Sequence, residues 1–188
     1  MGRWKKIESR KVADSTFFTL EEDDIRLPDG QLKTYTMLDI PDFAGVLPVV
    51  DDKMVMIKNY RYPIDEMVLE LPAGLIDEDE SPIETAKREL EEETGYILKD
   101  AEKLVEYHPI ASLNTQKAHL FIGNAEEGGK INRDKGEEIE IKIIPIKKIY
   151  KKLENRELSH PHTMIALFYA KDILFGDILL SLKEEASL

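Results

Sequence analysis

The sequence predicts an α+β protein, with a mixed β-sheet lying between helices and an antiparallel β segment in front of it. Two strand-like runs flank Asp29-Gly30, a dipeptide typical of hairpin turns. Later apolar runs predict further strands, at 44–50, 53–58, 67–71, 101–107, 118–124 and 139–144. Helical periodicity predicts helices near 82–94, 146–155 and 163–174. Strands interspersed with helices favour a layered architecture.

This order of elements divides the chain into two parts. Residues 1–42 form the predicted N-terminal β segment, and residues 43–188 form the predicted main domain. The segment is rich in strand residues but has no second layer of its own in sequence. We therefore expect its apolar side to pack on a partner, which predicts a homodimer.

Composition excludes several classes of protein. The 188 residues are 42% hydrophobic and 34% charged, as in soluble globular proteins. The absence of cysteine excludes a disulfide scaffold and thiol catalysis, and fits a cytoplasmic protein. No apolar run is long enough to predict a membrane span or a signal peptide. The net charge of −12 argues against nucleic-acid binding, so an anionic substrate would require a metal ion or a local arginine.

The central stretch of the chain is a loop followed by a carboxylate-rich helix. Ser81 is the predicted N-cap, Pro82 occupies the first helical position, and Glu84 completes a capping box. Gly95 is placed to end the helix in the left-handed conformation. This stretch therefore predicts a helix of defined length.

Within this helix, Glu89 and Glu93 lie four residues apart and share a face, with Glu92 beside them. Like charges at this spacing destabilise a helix, so a divalent cation bound by their oxygens is an attractive hypothesis. A Glu- and Arg-rich helix that is merely a solvated face is the alternative.

The wider spacing favours the metal site. Gly74, Glu80, Arg88-Glu89-Leu90, Glu92-Glu93 and Gly95 resemble the Nudix box at every fixed letter, with Tyr96 at a position that is usually aliphatic. Arg61-Tyr62-Pro63, Glu70-Leu71-Pro72-Ala73-Gly74 and the N-terminal RLPDG are similar to ADP-ribose pyrophosphatases over almost the whole chain. The resemblance implies the Nudix fold and hydrolysis of a nucleoside diphosphate linked to another moiety.

The resemblance also implies roles for the residues of the box. Two or three Mg²⁺ ions, for which Mn²⁺ can substitute, are expected at Glu89, Glu93, Glu92 and the backbone carbonyl of Ala73. The resemblance gives structural roles to four further residues, Gly74, Glu80, Arg88 and Gly95.

Substrate contacts are expected outside the box. Arg61 matches a position that grips phosphate, with a solvated arginine as the alternative. Glu70 matches a position beside the metal site, although a strand-end carboxylate is commonly structural. Trp4 and Tyr35 match aromatics that stack on adenine, with core packing as the alternative.

The catalytic base of this subfamily is a glutamate shortly before a strand. In this chain Glu137 fits best and Glu138 is second, with Glu92 as the fallback. His108, His119, His160 and His162 form no metal-ligand pattern and are expected to be structural or at the surface.

These features predict a Mg²⁺-dependent pyrophosphohydrolase that converts ADP-ribose to AMP and ribose 5-phosphate, or cleaves a related nucleoside diphosphate sugar. Ala111 stands where ADP-ribose enzymes usually have proline, which weakens the choice of ADP-ribose. A housecleaning hydrolase of nucleoside triphosphates or dinucleoside polyphosphates is one alternative, disfavoured by the N-terminal β segment. A non-catalytic module that senses sugar nucleotides is another, disfavoured by the complete set of box glutamates.

Overall fold

The computed structural model describes residues 3–133 and 135–185. The strands are β1 (Lys5–Asp14), β2 (Thr19–Arg26), β3 (Leu32–Asp39), β4 (Phe43–Val50), β5 (Lys53–Arg61), β6 (Glu66–Glu70), β7 (Ala73–Leu75), β8 (Tyr96–Leu98), β9 (Glu102–Tyr107), β10 (Ala118–Glu127) and β11 (Ile139–Pro145). The helices are α1 (Pro82–Thr94), α2 (Ile146–Glu154) and α3 (Pro161–Glu185), and a single 3₁₀ turn covers Tyr62–Ile64. The chain separates into two compact units.

The first unit comprises the residues up to Phe43 together with Tyr107–Ala118. Its three-stranded sheet has the order β1-β2-β3, and both strand pairs are antiparallel. Between β2 and β3, Gly30 adopts a φ of 90° and donates its N–H to Leu27 O at 2.9 Å, which confirms the predicted hairpin. All residues of β1 are exposed. The segment from Tyr107 contacts β3, where the Leu38 N–H donates to Leu113 O at 2.9 Å.

The second unit contains the larger sheet, of order β11-β5-β4-β10-β8, with β6 paired to β5, β7 to β4 and β9 to β10. Strand β5 runs antiparallel to both β11 and β6. Four consecutive residues of β5, Met54 to Ile57, are buried. Because alternate side chains of a strand point to opposite faces, both faces of the sheet are covered here.

Helix α1 packs on one face of this sheet through the apolar residues that its sequence periodicity predicted. Ala86 and Leu90 are fully buried, and Ile83 packs against the same cluster. That cluster also contains Val46 of β4 and Val55 of β5. Helix α1 is therefore fixed to strands β4 and β5 of the sheet.

The other buried side chains include residues from α2 and α3. Ile149 of α2 and Leu167 of α3 are fully buried, as is Leu47 of β4, the neighbour of Val46. The Tyr150 hydroxyl joins the two helices by donating to Leu167 O at 2.7 Å. Within the described residues, no helix combines the length and apolar character needed to cross a membrane.

The structure extends several of the predicted elements and adds the short strands β7 and β8. Strand β10 continues past the predicted end at residue 124 through Glu126 and Glu127, because these residues pair with Ile97 and Tyr96 of β8. Helix α3 begins at Pro161 and continues to Glu185, and includes Gly176 rather than ending there. The α+β prediction of a mixed sheet between helices, with an antiparallel N-terminal sheet, is confirmed.

Candidate active site

Both ends of α1 have the local structure that its sequence predicts. The Ser81 N–H donates to Glu84 Oε2 at 2.9 Å, and Ser81 has an extended backbone that precedes the helix. At the other end, Gly95 has a φ of 74° and donates its N–H to Glu91 O at 2.7 Å. These caps set the length of the helix and therefore the position of each glutamate along it.

The carboxylates of Glu89 and Glu93 lie where α1 meets the start of β7. Glu93 is only 4% exposed, and its Oε2 accepts the Ala73 N–H at 3.1 Å. Burial raises the pKa of Glu93 to about 9, and the charge of Glu89 adds to the effect. Burial also raises the pKa of Glu89, although the neighbouring Arg88 charge opposes it. The two carboxyl groups are desolvated neighbours, and burial disfavours the charged form of each.

Gly74, in β7, allows the Glu89 carboxylate to approach the backbone of that strand. A Cβ atom at residue 74 would lie 2.0 Å from Glu89 Oε1 and 2.3 Å from its Cδ. No side chain fits in this gap unless the carboxylate moves. The predicted role of Gly74 thus has a steric reason, which is to leave room for a carboxylate oxygen against the backbone.

Arg88 links the helix to the loop before it. Its Nε donates to Glu80 Oε1 at 2.8 Å and its Nη2 to Glu80 Oε2 at 2.9 Å, while Nη2 also reaches Leu75 O at 3.2 Å. Its Nη1 donates to Glu89 Oε1 at 2.7 Å and to Glu92 Oε2 at 3.1 Å. The Arg88 hydrogen bonds hold the pKa of Glu80 at about 2. Arg88 therefore braces the loop and orients two glutamates of the helix.

Arg61, at the end of β5, pairs with Glu70, at the end of β6. The Arg61 Nε donates to Glu70 Oε1 at 2.8 Å, and Nη2 donates to Glu70 Oε2. Glu70 is 2% exposed, whereas the Arg61 side chain is 47% exposed. The bidentate pair therefore uses Glu70 as a buried support and leaves part of the guanidinium accessible to a ligand.

His160, just before α3, lies beside the Arg61–Glu70 pair, a contact that the sequence did not predict. His160 Nε2 lies 3.8 Å from Glu70 Oε2, and His160 Nδ1 lies 2.9 Å from Thr163 Oγ1. The fully buried Thr163 hydroxyl accepts the Leu71 N–H at 2.9 Å. Burial lowers the pKa values of His160 and His162 to about 4, so both are neutral at pH 7. No local pattern signals these contacts, because they join residues about ninety positions apart.

Glu137 and Glu138 are exposed and lie just before β11. The charge of Glu137 acts on Arg61, Glu89 and Glu93, raising the pKa of each. The charge of Glu138 instead raises the pKa of Tyr60, after the Asp65 hydrogen bond and burial.

Trp4 and Tyr35 belong to the N-terminal unit. Their rings meet edge to face with centroids 6.0 Å apart, and the Lys33 ammonium lies 5.7 Å from each ring centroid. The Tyr35 hydroxyl donates to Ser112 O, and Trp4 is 52% exposed. Tyr96, at the unusual position of the box, is buried in the core cluster, and its hydroxyl donates to Glu127 Oε1 at 3.0 Å.

The donor set at Glu89 and Glu93 fits a divalent cation. Both groups offer hard oxygen ligands, and both pay an electrostatic penalty for burial that a cation would offset. Among the described residues, no three His, Cys, Asp or Glu side chains are already gathered as a metal site. Arg88 donates to Glu92 as well as to Glu89, so Glu92 lies beside the same guanidinium and stays a predicted third ligand.

Comparisons with known proteins agree with this geometry. Residues 41–166 match the family model described as NUDIX domain, and residues 4–38 match the nucleoside diphosphate sugar hydrolase N-terminal domain. The chain is 30% identical to an ADP-ribose pyrophosphatase of Bacillus subtilis, over 88% of this chain and 94% of that protein. It is 28% identical to a GDP-mannose pyrophosphatase of Cronobacter sakazakii, over 84% and 90% of the two chains.

Its fold also matches a solved structure. A crystal structure of an ADP compounds hydrolase superimposes with a TM-score of 0.83 at 25% identity, covering 94% of this chain and 97% of the other. With the complete box on α1 and a family match over most of its length, this chain belongs to the NUDIX family and lies near the ADP-ribose pyrophosphatases.

Proposed function

We propose that this Nudix pyrophosphatase is Mg²⁺-dependent and cleaves nucleoside diphosphate sugars, with ADP-ribose, giving AMP and ribose 5-phosphate, as the foremost substrate. The observation that carries the proposal is the desolvated pair Glu89 and Glu93 beside the Ala73–Gly74 backbone. An acidic chain needs a cation at this point before it can accept a pyrophosphate.

Each residue of the site has a distinct task in this proposal. Divalent cations, when bound, supply neutralisation of the pyrophosphate charge and a water of lowered pKa. Glu89 and Glu93 hold the cations, and Arg88 keeps Glu89 in place through its 2.7 Å hydrogen bond. Arg61, supported by Glu70, binds a substrate phosphate with the exposed part of its guanidinium.

Glu137 is our candidate for the general base, which takes a proton from the attacking water. Its support is electrostatic, since its charge acts on Arg61, Glu89 and Glu93, whereas that of Glu138 acts on Tyr60. Glu92 is less suited to the role, because its Oε2 accepts a hydrogen bond from Arg88 at 3.1 Å.

The proposed substrate class is inferred from the similar proteins and from the match of the N-terminal segment. The match of residues 4–38 to a nucleoside diphosphate sugar hydrolase domain supports this substrate class over nucleoside triphosphates. The ADP-ribose pyrophosphatase of B. subtilis supports ADP-ribose, whereas the GDP-mannose pyrophosphatase of C. sakazakii supports a GDP-sugar as the second candidate. Ala111, in place of the usual proline, leaves room for that second candidate.

We further propose a cytoplasmic homodimer built through residues 1–42. The N-terminal sheet exposes large apolar side chains, among them Trp4, Ile7 and Val12, each about half accessible. Their burial against a second copy would remove apolar area from water and stabilise the pair. In that assembly, Trp4 and Tyr35 are the candidates for adenine stacking.

A panel of nucleotide sugars, assayed by phosphate release after phosphatase treatment, tests the substrate and the metal together. ADP-ribose with Mg²⁺ should give the highest kcat/KM, EDTA should abolish turnover, and Mg²⁺ or Mn²⁺ should restore it. Full turnover in metal-free buffer would refute the metal site. A tenfold preference for GDP-mannose would move the enzyme to the second candidate substrate while leaving the hydrolase mechanism in place.

A further inference from the structure

The segment between β10 and β11 carries the candidate base, and its first half is fixed to the end of α1. The Gly129 N–H donates to Gly95 O at 3.0 Å, and the Asn132 N–H donates to Glu92 O at 2.9 Å. The Lys130 N–H donates to Glu91 Oε1 at 3.2 Å. A Cβ at residue 129 would lie 2.7 Å from Glu91 Cγ, so the segment touches the helix closely.

Arg133, which precedes the candidate base, hydrogen-bonds both to α1 and to Ile139, which follows the candidate base. Its Nε and Nη2 donate to Glu93 O at 3.0 and 2.8 Å, and its Nη1 donates to Ile139 O at 2.9 Å. Glu93 O lies in the last turn of α1, where main-chain carbonyls lack helical partners and favour a cation. One guanidinium therefore binds the metal-site helix and the first residue of β11 together.

This arrangement constrains Glu137 from both directions. Arg133 precedes it by four residues and Ile139 follows it by two, and the Arg133 guanidinium links Ile139 O to Glu93 O of α1. Gly136, immediately before the base, adopts a φ of 98°, a conformation that directs the chain and that other residues rarely take. One guanidinium thus links described residues on both sides of Glu137 to α1, the helix that carries Glu89 and Glu93.

We propose that Arg133 is a positioning residue for catalysis, which holds Glu137 at its working distance from the metal-binding carboxylates. The inference rests on the proposed function, because it takes Glu137 as the base. It differs from a simple helix-capping role, which would stabilise α1 whether or not the base is present.

The test is a double-mutant cycle on the full-length protein. Arg133→Met should lower kcat about ten- to a hundredfold with little change in KM, the scale expected when a reacting group is displaced by about 1 Å. In a Glu137→Gln background the same substitution should cost less than about twofold, because the base it positions is already gone. Lys130→Met is the matched control, since it removes a charge from the same segment while leaving the Lys130 N–H bond, and should leave kcat unchanged.

Arg133→Lys covers the case in which Arg133→Met does not fold. Lysine keeps the charge at the helix end, but its ammonium lacks the planar fork that reaches Glu93 O and Ile139 O together, so kcat should still fall. Suppose Glu137→Gln is severely impaired, and the Arg133 substitution lowers kcat by the same factor in the wild type and in the Glu137→Gln protein. That result overturns only the positioning role of Arg133. A healthy Glu137→Gln enzyme overturns the base and this inference together, and leaves the metal site standing. Normal kcat in both Arg133 variants also overturns the inference.

Discussion

Replacing Gly74 with alanine should separate the chemistry of the site from the stability of the fold. The new Cβ would lie 2.0 Å from Glu89 Oε1, and an ordinary van der Waals separation is at least 3.4 Å, so the oxygen must retreat by about 1.4 Å. The carboxylate is the far end of a flexible side chain and can swing away. Gly74 does not require a positive φ, so alanine fits its backbone. We expect unfolding stability to stay equal or to rise by about 0.4–1 kcal/mol.

The cost should appear in catalysis instead. A ligand displaced by more than 1 Å lowers rates by about a hundredfold, so kcat of Gly74→Ala should fall on that scale. The Mg²⁺ concentration for half-maximal activity should rise in parallel, because Glu89 is the displaced group. The assays are steady-state kinetics over a Mg²⁺ titration and thermal unfolding of the same preparations.

A glycine-to-alanine substitution away from the site is the control for Gly74→Ala. Gly176 lies inside α3, where an added Cβ meets nothing within 4 Å. Gly176→Ala should therefore leave kcat unchanged and stabilise the helix by about 1 kcal/mol. If Gly74→Ala keeps kcat and the Mg²⁺ midpoint within twofold of the wild type, Glu89 does not bind the metal as we propose.

Three further predictions concern the base, the histidines and the assembly. Glu137→Gln should lower kcat far more than it raises KM, while Glu138→Gln should be mild; the reverse result would place the base one residue later. His160 and His162 have pKa values lowered to about 4 from 6.5. The free energy of unfolding should therefore be highest above pH 6.5 and should fall as the pH drops toward 4, because the unfolded chain binds protons that the folded state does not. The loss is at most about 3 kcal/mol for each histidine. His162→Gln should flatten this slope in urea unfolding at several pH values, and an unchanged slope would contradict the burial of His162. Sedimentation at micromolar concentration should show a dimer; a fully active monomer would exclude the proposed interface.

Local sequence was sufficient to predict the catalytic helix. The capping box at Ser81, the end at Gly95 and the apolar face through Leu90 all depend on residues within one or two turns of each other. The spacing of Glu89 and Glu93 follows from helical geometry, so their shared face was predictable as well. For the same reason the N-terminal hairpin at Gly30 could be predicted, since a tight turn involves only adjacent residues.

Tertiary structure decided how strongly those glutamates are perturbed. The high pKa of Glu93 comes first from burial by a sheet that is assembled from distant segments and then from the charge of Glu89, while the hydrogen bond from the Ala73 N–H, twenty residues earlier, opposes the rise. The Arg88–Glu92 hydrogen bond spans only four residues of one helix, whereas the bonds from Arg88 to Glu80 and Leu75 O depend on how the preceding segment folds against the helix. Spacing identifies which residues share a face, but only packing decides which of them lose water.

The support around the site also depends on contacts that no local pattern encodes. Thr163 reaches the Leu71 N–H across 92 positions, and Arg133 reaches Glu93 O across 40. Such pairs meet only when the sheet and helices are in place, and their residue types carry no signal of the partner. The sequence by itself determined the glutamates of the box and their order on one helix. The fold determined their burial, their charge balance and the residues that hold them, because each of these depends on segments far apart in the chain.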